Sequence, residues 1–434
     1  MSETVLLVGG GGREHAIARA IDASDHDVTL VACAGNRNPG IGAIAETYET
    51  METTDPDAVT EFAIMTGATI AVIGPEAPLA EGVVDALEEV GVYAFGPNAA
   101  DAAIETDKSF QRRFMADHDI PGRPDFEVFD DIEAACAYID AYDGDLAVKP
   151  AGLTGGKGVR VTGDQLTKAE AKTYLRESEY IDETVVLEER LIGEEFTIQA
   201  FVANGSVRPT PAVQDHKRAY EGDEGPNTGG MGSYSDATRT LPFMDEDDYE
   251  AAVEILEQTV AALETYTGIL YGQFMLTADG PKVVEFNARF GDPEAMNTLP
   301  VMETDFLDIL TAARNGESLP ELSFQPAATV CKYAVPAGYP VDPQAGTKIS
   351  VTEESVGDAM LFYASVDERE DGLYTTTSRA FAVVGIDQTI TAAERIADAA
   401  LSAADDNGLD VRHDIGKPDL IQQRIEHMHS LRGG

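Results

Sequence analysis

Along the first hundred residues, short apolar runs alternate with helical stretches: TVLLVG, REHAIARAIDAS, DVTLVACAG, DAVTEFAIMTG, ATIAVIGPE, LAEGVVDALEEVG and VYAFGP follow in order. Strands separated by helices pair in parallel, because the chain must cross back over the sheet before the next strand begins. The pattern predicts a doubly wound α/β sheet with helices on both faces.

The pattern then changes twice. A turn-rich loop, GPNAADAA, leads into a helix, DKSFQRRFMADHDI, which Pro121-Gly122 closes. A smaller α/β unit follows, with strands expected near 145–149, 158–162 and 184–189. After it come the loop GPNTGGMG and the hairpin GILYGQFMLTADGPKVVEF. Beyond LPELSFQP, the runs VCKYAVPAG, KISVT, AMLFYASV, LYTTTSRAFAVVGI and the helix ITAAERIADAALSAA form a last α+β unit. The expected division is 1–103, 104–325 with a small lobe at about 123–190, and 326–434.

Charge narrows the partners. The 434 residues carry 30 Lys and Arg against 78 Asp and Glu, a formal charge of −48. So acidic a chain repels phosphate backbones, which excludes nucleic acid as a main partner. The acidity is spread through stretches such as DASDHD, FMDEDDYE and SAADDNGLD, as expected for a surface adapted to high salt. At molar salt the Debye length is about 3 Å, and self-repulsion is screened. The N-terminus lacks a basic n-region and cleavage site, and no apolar run is long enough to span a membrane. Cys33, Cys136 and Cys331 are scattered without metal or disulfide spacing, so a reducing cytoplasm is expected.

The strand VVEFN, within VVEFNARFGDPEAMNTLP, poses the chemical question. Glu285 and Asn287 are two residues apart and share one strand face, roughly 6.7 Å apart by strand rise. Val284 and Phe286 are expected on the other face. Two oxygen donors on an otherwise apolar strand suit a hard cation such as Mg²⁺, with phosphate completing the coordination. Asp279-Gly280 marks the hairpin turn. A three-residue loop, Ala278-Asp279-Gly280, sets Gln273 opposite Glu285 as a third oxygen ligand; a two-residue loop turns it away, and an ordinary sheet residue is the alternative.

Four further segments are candidates. In VGGGGREH, Gly9 and Gly11 let backbone N–H groups approach a phosphate at a helix N-terminus. The third glycine of the dinucleotide fingerprint is missing, so a plain tight turn outranks an NAD site, and Arg13 as ligand to a monophosphate is the other option. In DLAVKPAGLTGGKGVRV, Lys149 ends a strand before a glycine-rich turn that holds Lys157. Nests and lysines together suit a polyphosphate, whereas the turn alone is a surface loop. In VVLEERLIGEEFTIQAF, Glu188 and Glu195 offer acceptors for an adenine amino group and a ribose hydroxyl, while Glu189 and Glu194 read as a solvated face. In QDHKRAYEGDEGPNTGGMGSY, the basic run at His216-Lys217-Arg218 is either a salt-bridged loop or a trap for carboxylate and phosphate. His15 and His216 lack zinc spacing.

Taken together, GGGGREHAIARA, VIGPEAPLAEGVVD, FGPNAADAAIETDKSF, KPAGLTGGKGV, LEERLIGEEFT, QDHKRAYEGDEGPNTGGMGSY and EFNARFGDPE closely resemble the phosphoribosylamine–glycine ligase family of ATP-grasp enzymes. The resemblance runs in order along nearly the whole chain. It implies a Rossmann-like N-terminal pre-ATP-grasp domain, a two-lobed ATP-grasp domain and a C-terminal α+β domain. It implies a cytoplasmic monomer whose substrates are glycine, 5-phosphoribosylamine and ATP, with Mg²⁺ or Mn²⁺ as cofactor and neither membrane nor nucleic acid as partner.

By position, the resemblance makes Lys108, Lys149, Gly152, Gly155, Gly156, Lys157 and Gly158 the ATP phosphate contacts. Glu188 and Glu195 match the adenine and ribose positions. Glu285 and Asn287, with Gln273, match the metal ligands. Gly11, Gly12, Arg13 and Glu76 resemble the phosphoribosylamine side, and Asp215, Lys217, Arg289 and Asp292 fall where glycine and its acyl phosphate would be held. The C-terminal part departs from the family: Phe362-Tyr363-Ala364-Ser365 stands where Phe-His-Ala-Gly is common, and Thr375-Thr376-Thr377-Ser378-Arg379 replaces Thr-Asn-Gly-Gly-Arg. Three rivals remain: a formate- or carbonate-using ATP-grasp ligase, an NAD-dependent oxidoreductase and a non-catalytic nucleotide sensor.

Overall fold

The computed structural model describes residues 3–152, 158–181, 184–404 and 408–433. The N-terminal unit holds strands β1 (Glu3–Val8), β2 (Val28–Ala34), β3 (Thr47–Thr50), β4 (Ile70–Ile73) and β5 (Tyr93–Phe95). They pair in parallel, as the alternation predicts, in the order β3-β2-β1-β4-β5, with β3 an edge strand that the apolar runs do not mark. The order reverses beside β1, so a crevice opens outside the carboxyl ends of β1 and β4. Gly9–Arg13 follow β1 and Gly74–Glu76 follow β4, which brings Arg13 and Glu76 to that crevice.

The small lobe is the antiparallel sheet β6 (Phe126–Phe129), β7 (Leu146–Pro150), β8 (Arg160–Val161) and β9 (Val185–Glu189), in the order β6-β9-β7-β8. Helices Ile132–Ala141 and Lys168–Glu177 bury Ala135, Ile139, Ala171 and Leu175 against it. This core is separate from the two clusters that bind the rest of the molecule together.

The large lobe begins with β10 (Glu194–Ala203) and β11 (Ser206–Pro209). Four short strands follow: β12 (Gln214–Asp215), β13 (Arg218–Tyr220), β14 (Glu224–Asn227) and β15 (Gly232–Ser235). The hairpin β16 (Gly268–Thr277) and β17 (Gly280–Asn287) completes a sheet of order β11-β10-β16-β17. The last unit does not stand apart. Strand β18 (Ala328–Pro336) pairs with β15 on one side and with Phe381–Asp387 on the other, so one sheet runs across the boundary expected at 326.

The hairpin corrects a local expectation. Thr277 pairs with Gly280, so the loop has two residues, Ala278 and Asp279, not three. That parity alone would turn Gln273 away from Glu285. A bulge reverses it: Phe274 pairs with Val283 but Gln273 pairs with Glu285, leaving Val284 as the extra residue. Two residues opposite one then bend the strand and aim both at the same side. Val284 therefore lines the cleft with Glu285, instead of lying across the sheet from it, while Val283 and Phe286 enter the core. Burying the latter two contributes about 1.5–3 kcal/mol each and locks the register.

The first and last units close on each other. In helix Gly12–Asp22, the His15 Nδ1 accepts the Tyr363 backbone N–H at 3.0 Å, and Asn38 Nδ2 donates to the Tyr363 carbonyl at 2.7 Å. Burial pulls the His15 pKa down to about 3, so the ring is neutral and free to accept. A C-terminal helix, Pro418–Leu431, has no counterpart in the expected elements. It turns Glu194 from the solvated residue that was expected into a buried one: Arg424 lies 3.2 Å and His427 2.6 Å from its carboxylate.

Candidate active site

Between the small lobe, the large lobe and the N-terminal unit lies a cleft of about 630 Å³. Its lining carries eight Lys and Arg (Arg13, Lys108, Lys149, Arg190, Lys217, Arg218, Arg289, Arg379) and ten Asp and Glu. In a chain with 30 bases against 78 acids, this lining is close to charge balance, which favours entry of a polyanion here.

Lys149, at the end of β7, is buried and held at 2.7 Å by Glu188 of β9. Arg112, on helix Lys108–Asp117, grips the same carboxylate with Nε at 2.7 Å and Nη2 at 3.1 Å. Burial alone would raise the Glu188 pKa, but the two cations hold it down, whereas burial lowers that of Lys149 against the pull of Glu188. Both Glu188 oxygens are engaged from behind the cleft wall. Lys108 is the first residue of helix Lys108–Asp117, which Asp107 caps, and its backbone N–H donates to the Ala151 carbonyl at 2.8 Å.

Across the cleft, Glu285 stands 3.5 Å from Lys217. Burial would raise the Glu285 pKa, yet Lys217, Lys108, Lys149 and Arg289 together bring it down to about 2. Lys217 also donates to the Gln273 side-chain oxygen, and Gln273 Nε2 donates to Glu195 at 2.5 Å. Asn287 Oδ1 accepts from Arg289 Nη2 at 3.2 Å. Three oxygens from Gln273, Glu285 and Asn287 thus face one cavity, each already opposed by a cationic side chain. This donor set suits a hard divalent ion, which needs few protein oxygens and no His or Cys. Among the described residues no cluster of three His, Cys, Asp or Glu is placed to hold a metal.

Arg289 is clamped by Glu105 at 2.8 Å and Glu76 at 3.5 Å. Glu105 also accepts the Ala288 N–H at 2.6 Å, and burial lifts its pKa to about 7. Asp292 accepts the Tyr333 hydroxyl at 2.5 Å and pairs with Arg379 at 3.2 Å. Arg379 donates further to the carbonyls of Gly229 and Gly230, fastening the GPNTGG loop to Asp292. Asp215 points into the cleft with its Oδ1 unpartnered, and burial beside Glu294 raises its pKa well above the usual carboxylate range.

The basic run divides. Lys217 faces the cleft, Arg218 pairs with Asp164 at 2.8 Å, and His216 turns inward, where burial lowers its pKa to about 3 and leaves it uncharged. Gly11 and Gly12 do not line the cleft. The Gly11 N–H donates to Glu14 at 2.6 Å, so the helix carries its own anion at its N-terminus. Arg13 does line it, with Nε on Glu14 and Nη1 on the Phe290 carbonyl at 3.0 Å. Among the described residues nothing stands within 4 Å of a β-carbon placed on Gly152, and the Gly158 carbonyl accepts from Tyr174 at 2.7 Å. Gly155, Gly156 and Lys157 lie outside the described residues.

Family models described as the N, ATP-grasp (A) and C domains of phosphoribosylglycinamide synthetase match residues 3–105, 106–295 and 329–418. Phosphoribosylamine–glycine ligase of Methanosarcina barkeri is 55% identical over 438 residues, 99% of this chain and 100% of the relative. The chain belongs to the phosphoribosylglycinamide synthetase family. A crystal structure of phosphoribosylamine–glycine ligase from Thermotoga maritima superposes with a TM-score of 0.79 at 27% identity, over 95% of this chain and 100% of that one. The biotin carboxylase domain of Hydrogenobacter thermophilus 2-oxoglutarate carboxylase reaches 0.73 at 15% identity, covering 98% and 93% of the two chains. That likeness is one of fold alone.

Within this family frame, several cleft residues escaped the reading of the sequence. Glu294 sits inside the quoted EFNARFGDPE and receives the Tyr271 hydroxyl at 2.8 Å, so its signal was present. Glu105 likewise sits inside the quoted FGPNAADAAIETDKSF, whereas Arg112 and Tyr333 lie outside the motifs, and only the fold brings them to the cleft wall.

Proposed function

We infer that the chain ligates glycine to 5-phosphoribosylamine at the expense of ATP, giving glycinamide ribonucleotide, ADP and phosphate by way of glycyl phosphate. Among the described residues, one buried polar atom of the cleft lacks a hydrogen-bond partner outright, the acceptor Asp215 Oδ1, and the donor Arg289 Nε makes no hydrogen bond, with the Glu76 carboxylate 3.5 Å away. An acceptor for an ammonium and a donor for a carboxylate are what an amino acid needs. That complementarity carries the substrate side of the reading.

Lys108 and Lys149 offer point charges to the ATP phosphates, and Glu195 offers an acceptor to a ribose hydroxyl. Glu188 orients Lys149 from behind. Gln273, Glu285 and Asn287 would hold Mg²⁺ or Mn²⁺, which would neutralise phosphate charge and align the terminal phosphoryl group. Arg289 binds the glycine carboxylate and stabilises the charge that develops as it becomes an acyl phosphate. Asp215 receives the ammonium, with Lys217 and Asp292 beside it. Arg13 and Glu76, at the switch point of the N-terminal sheet, face the phosphoribosyl end. The amine of phosphoribosylamine attacks the glycyl carbonyl, expelling phosphate; no enzyme nucleophile is required. The acidic exterior is a salt adaptation, and the chain acts as a monomer on small molecules alone.

The test measures ADP release with glycine and phosphoribosylamine each omitted in turn, in high KCl. Release that requires both, with glycinamide ribonucleotide identified by mass, is expected. Release indifferent to glycine would overturn the reading.

A further inference from the structure

Arg112 is almost wholly enclosed, 1% exposed, yet it is a cation on a helix that could have packed with an apolar side chain. Its donors go to three elements. Nε and Nη2 take the two oxygens of Glu188 on β9, and Nη1 takes Gln111 Oε1 at 3.1 Å on its own helix. Nη2 also reaches the carbonyls of Val283 at 3.0 Å and Val284 at 2.7 Å on β17. Lys149 repeats two of these contacts, at 2.7 Å to Glu188 and 2.8 Å to the Val284 carbonyl. Arg112, Glu188, Lys149 and Val284 therefore form a closed ring of charge-assisted hydrogen bonds between the small lobe and the large one.

Val284 is the bulge residue, and its carbonyl belongs to the peptide that leads into Glu285. The ring thus fixes two things at once: where the Lys149 ammonium stands, and the bend that delivers Glu285 to the cleft. We propose that Arg112 is a positioning residue that sets Lys149 of the small lobe and Glu285 of the large lobe at a fixed separation across the cleft. It touches no substrate and acts through Glu188 and the bulge carbonyls. The roles of Lys149 and Glu285 rest on the function proposed above. A lysine cannot substitute fully, because one ammonium lacks the planar fork that serves a carboxylate and two carbonyls together.

The experiment compares wild type, Arg112→Met and Arg112→Lys by thermal midpoint, by Mn²⁺·ADP affinity from Mn²⁺ spin resonance, and by KM for ATP and for glycine. Removal of a group that orients ligands from behind costs about 10- to 100-fold in metal affinity. Arg112→Met should weaken Mn²⁺·ADP binding by about tenfold or more and raise KM for ATP, with KM for glycine within about twofold of wild type. Arg112→Lys should recover most of the thermal midpoint but not the affinity, separating position from stability. Should Arg112→Met fail to fold, Arg112→Lys decides alone. A folded variant of either kind with wild-type Mn²⁺·ADP affinity overturns the proposal. Absence of glycine-dependent ADP release in the wild type would instead overturn the ligase reading, and the binding comparison would still judge Arg112.

Discussion

Tyr333 donates its hydroxyl to Asp292 Oδ1 at 2.5 Å, and the backbone of Gly12 leaves it the room to do so. A β-carbon on Gly12 would stand 2.4 Å from that hydroxyl oxygen and 3.2 Å from the Met296 sulfur. The nearest atom belongs to a ring tied to the cleft, so Gly12→Ala must push Tyr333 off Asp292. Overpacking of this kind costs about 1–3 kcal/mol. The expected result is a lowered thermal midpoint and a fall of about tenfold in ADP release, an effect worth about 1.4 kcal/mol in the barrier. Unchanged turnover in a folded Gly12→Ala protein would show that Asp292 does not depend on Tyr333.

Glu285→Gln keeps the shape of the side chain and removes its charge. Lys217, Lys108, Lys149 and Arg289 would then face one another without that carboxylate between them. ADP release titrated with Mg²⁺ should fall by about 100-fold or more, without recovery at high metal. The wild-type carboxyl has its pKa depressed to about 2, so its contribution to stability is complete above its ordinary value and is lost as pH falls toward that figure. Metal affinity measured from pH 5 to 8 should therefore show no inflection from this group.

Glu105 behaves in the opposite sense. Its pKa is raised from 4.5 to about 7 by burial, so between those values the unfolded chain has released a proton that the folded chain retains. Stability from this group falls as pH rises through that window, by about 3 kcal/mol in all. Denaturant melts of wild type and Glu105→Gln across pH 4.5 to 7.5 should show the variant gaining on the wild type as pH rises. Parallel curves would place the proton elsewhere.

Salt supplies a fourth measurement. With a formal charge of −48, self-repulsion should weaken the fold in dilute buffer and relax as KCl is added. The thermal midpoint should climb steadily between 0.1 M and 3 M KCl. A flat profile would contradict the reading of the acidic surface as an adaptation to salt.

Local patterns made much of this protein legible before its structure. Four of the five parallel strands, β1, β2, β4 and β5, follow from apolar runs separated by helical stretches, while the short edge strand β3, TYET, has no apolar run to mark it; the hairpin follows from Asp279-Gly280 between two β-type segments. The facing of Gln273 and Glu285 was expected on a three-residue loop and exists for another reason. The loop has two residues, and a bulge at Val284 restores the register. Nothing near residue 284 announces that bulge, because its carbonyl is held by Lys149 and Arg112, 135 and 172 positions away. Glu194 was misjudged on the same ground: its partners Arg424 and His427 come from a helix more than two hundred residues later. Short-range spacing reveals faces and turns, whereas burial of a charge depends on what folds over it.

The bond between His15 and Tyr363 has a consequence for synthesis. These residues are 348 positions apart, so the ribosome makes most of the chain before the partner of that imidazole exists. Domains tend to fold as units from the N-terminus while translation proceeds. The nascent first sheet must therefore persist with His15 and Asn38 uncovered, and the molecule becomes whole only when its final segment arrives to seal the opening one.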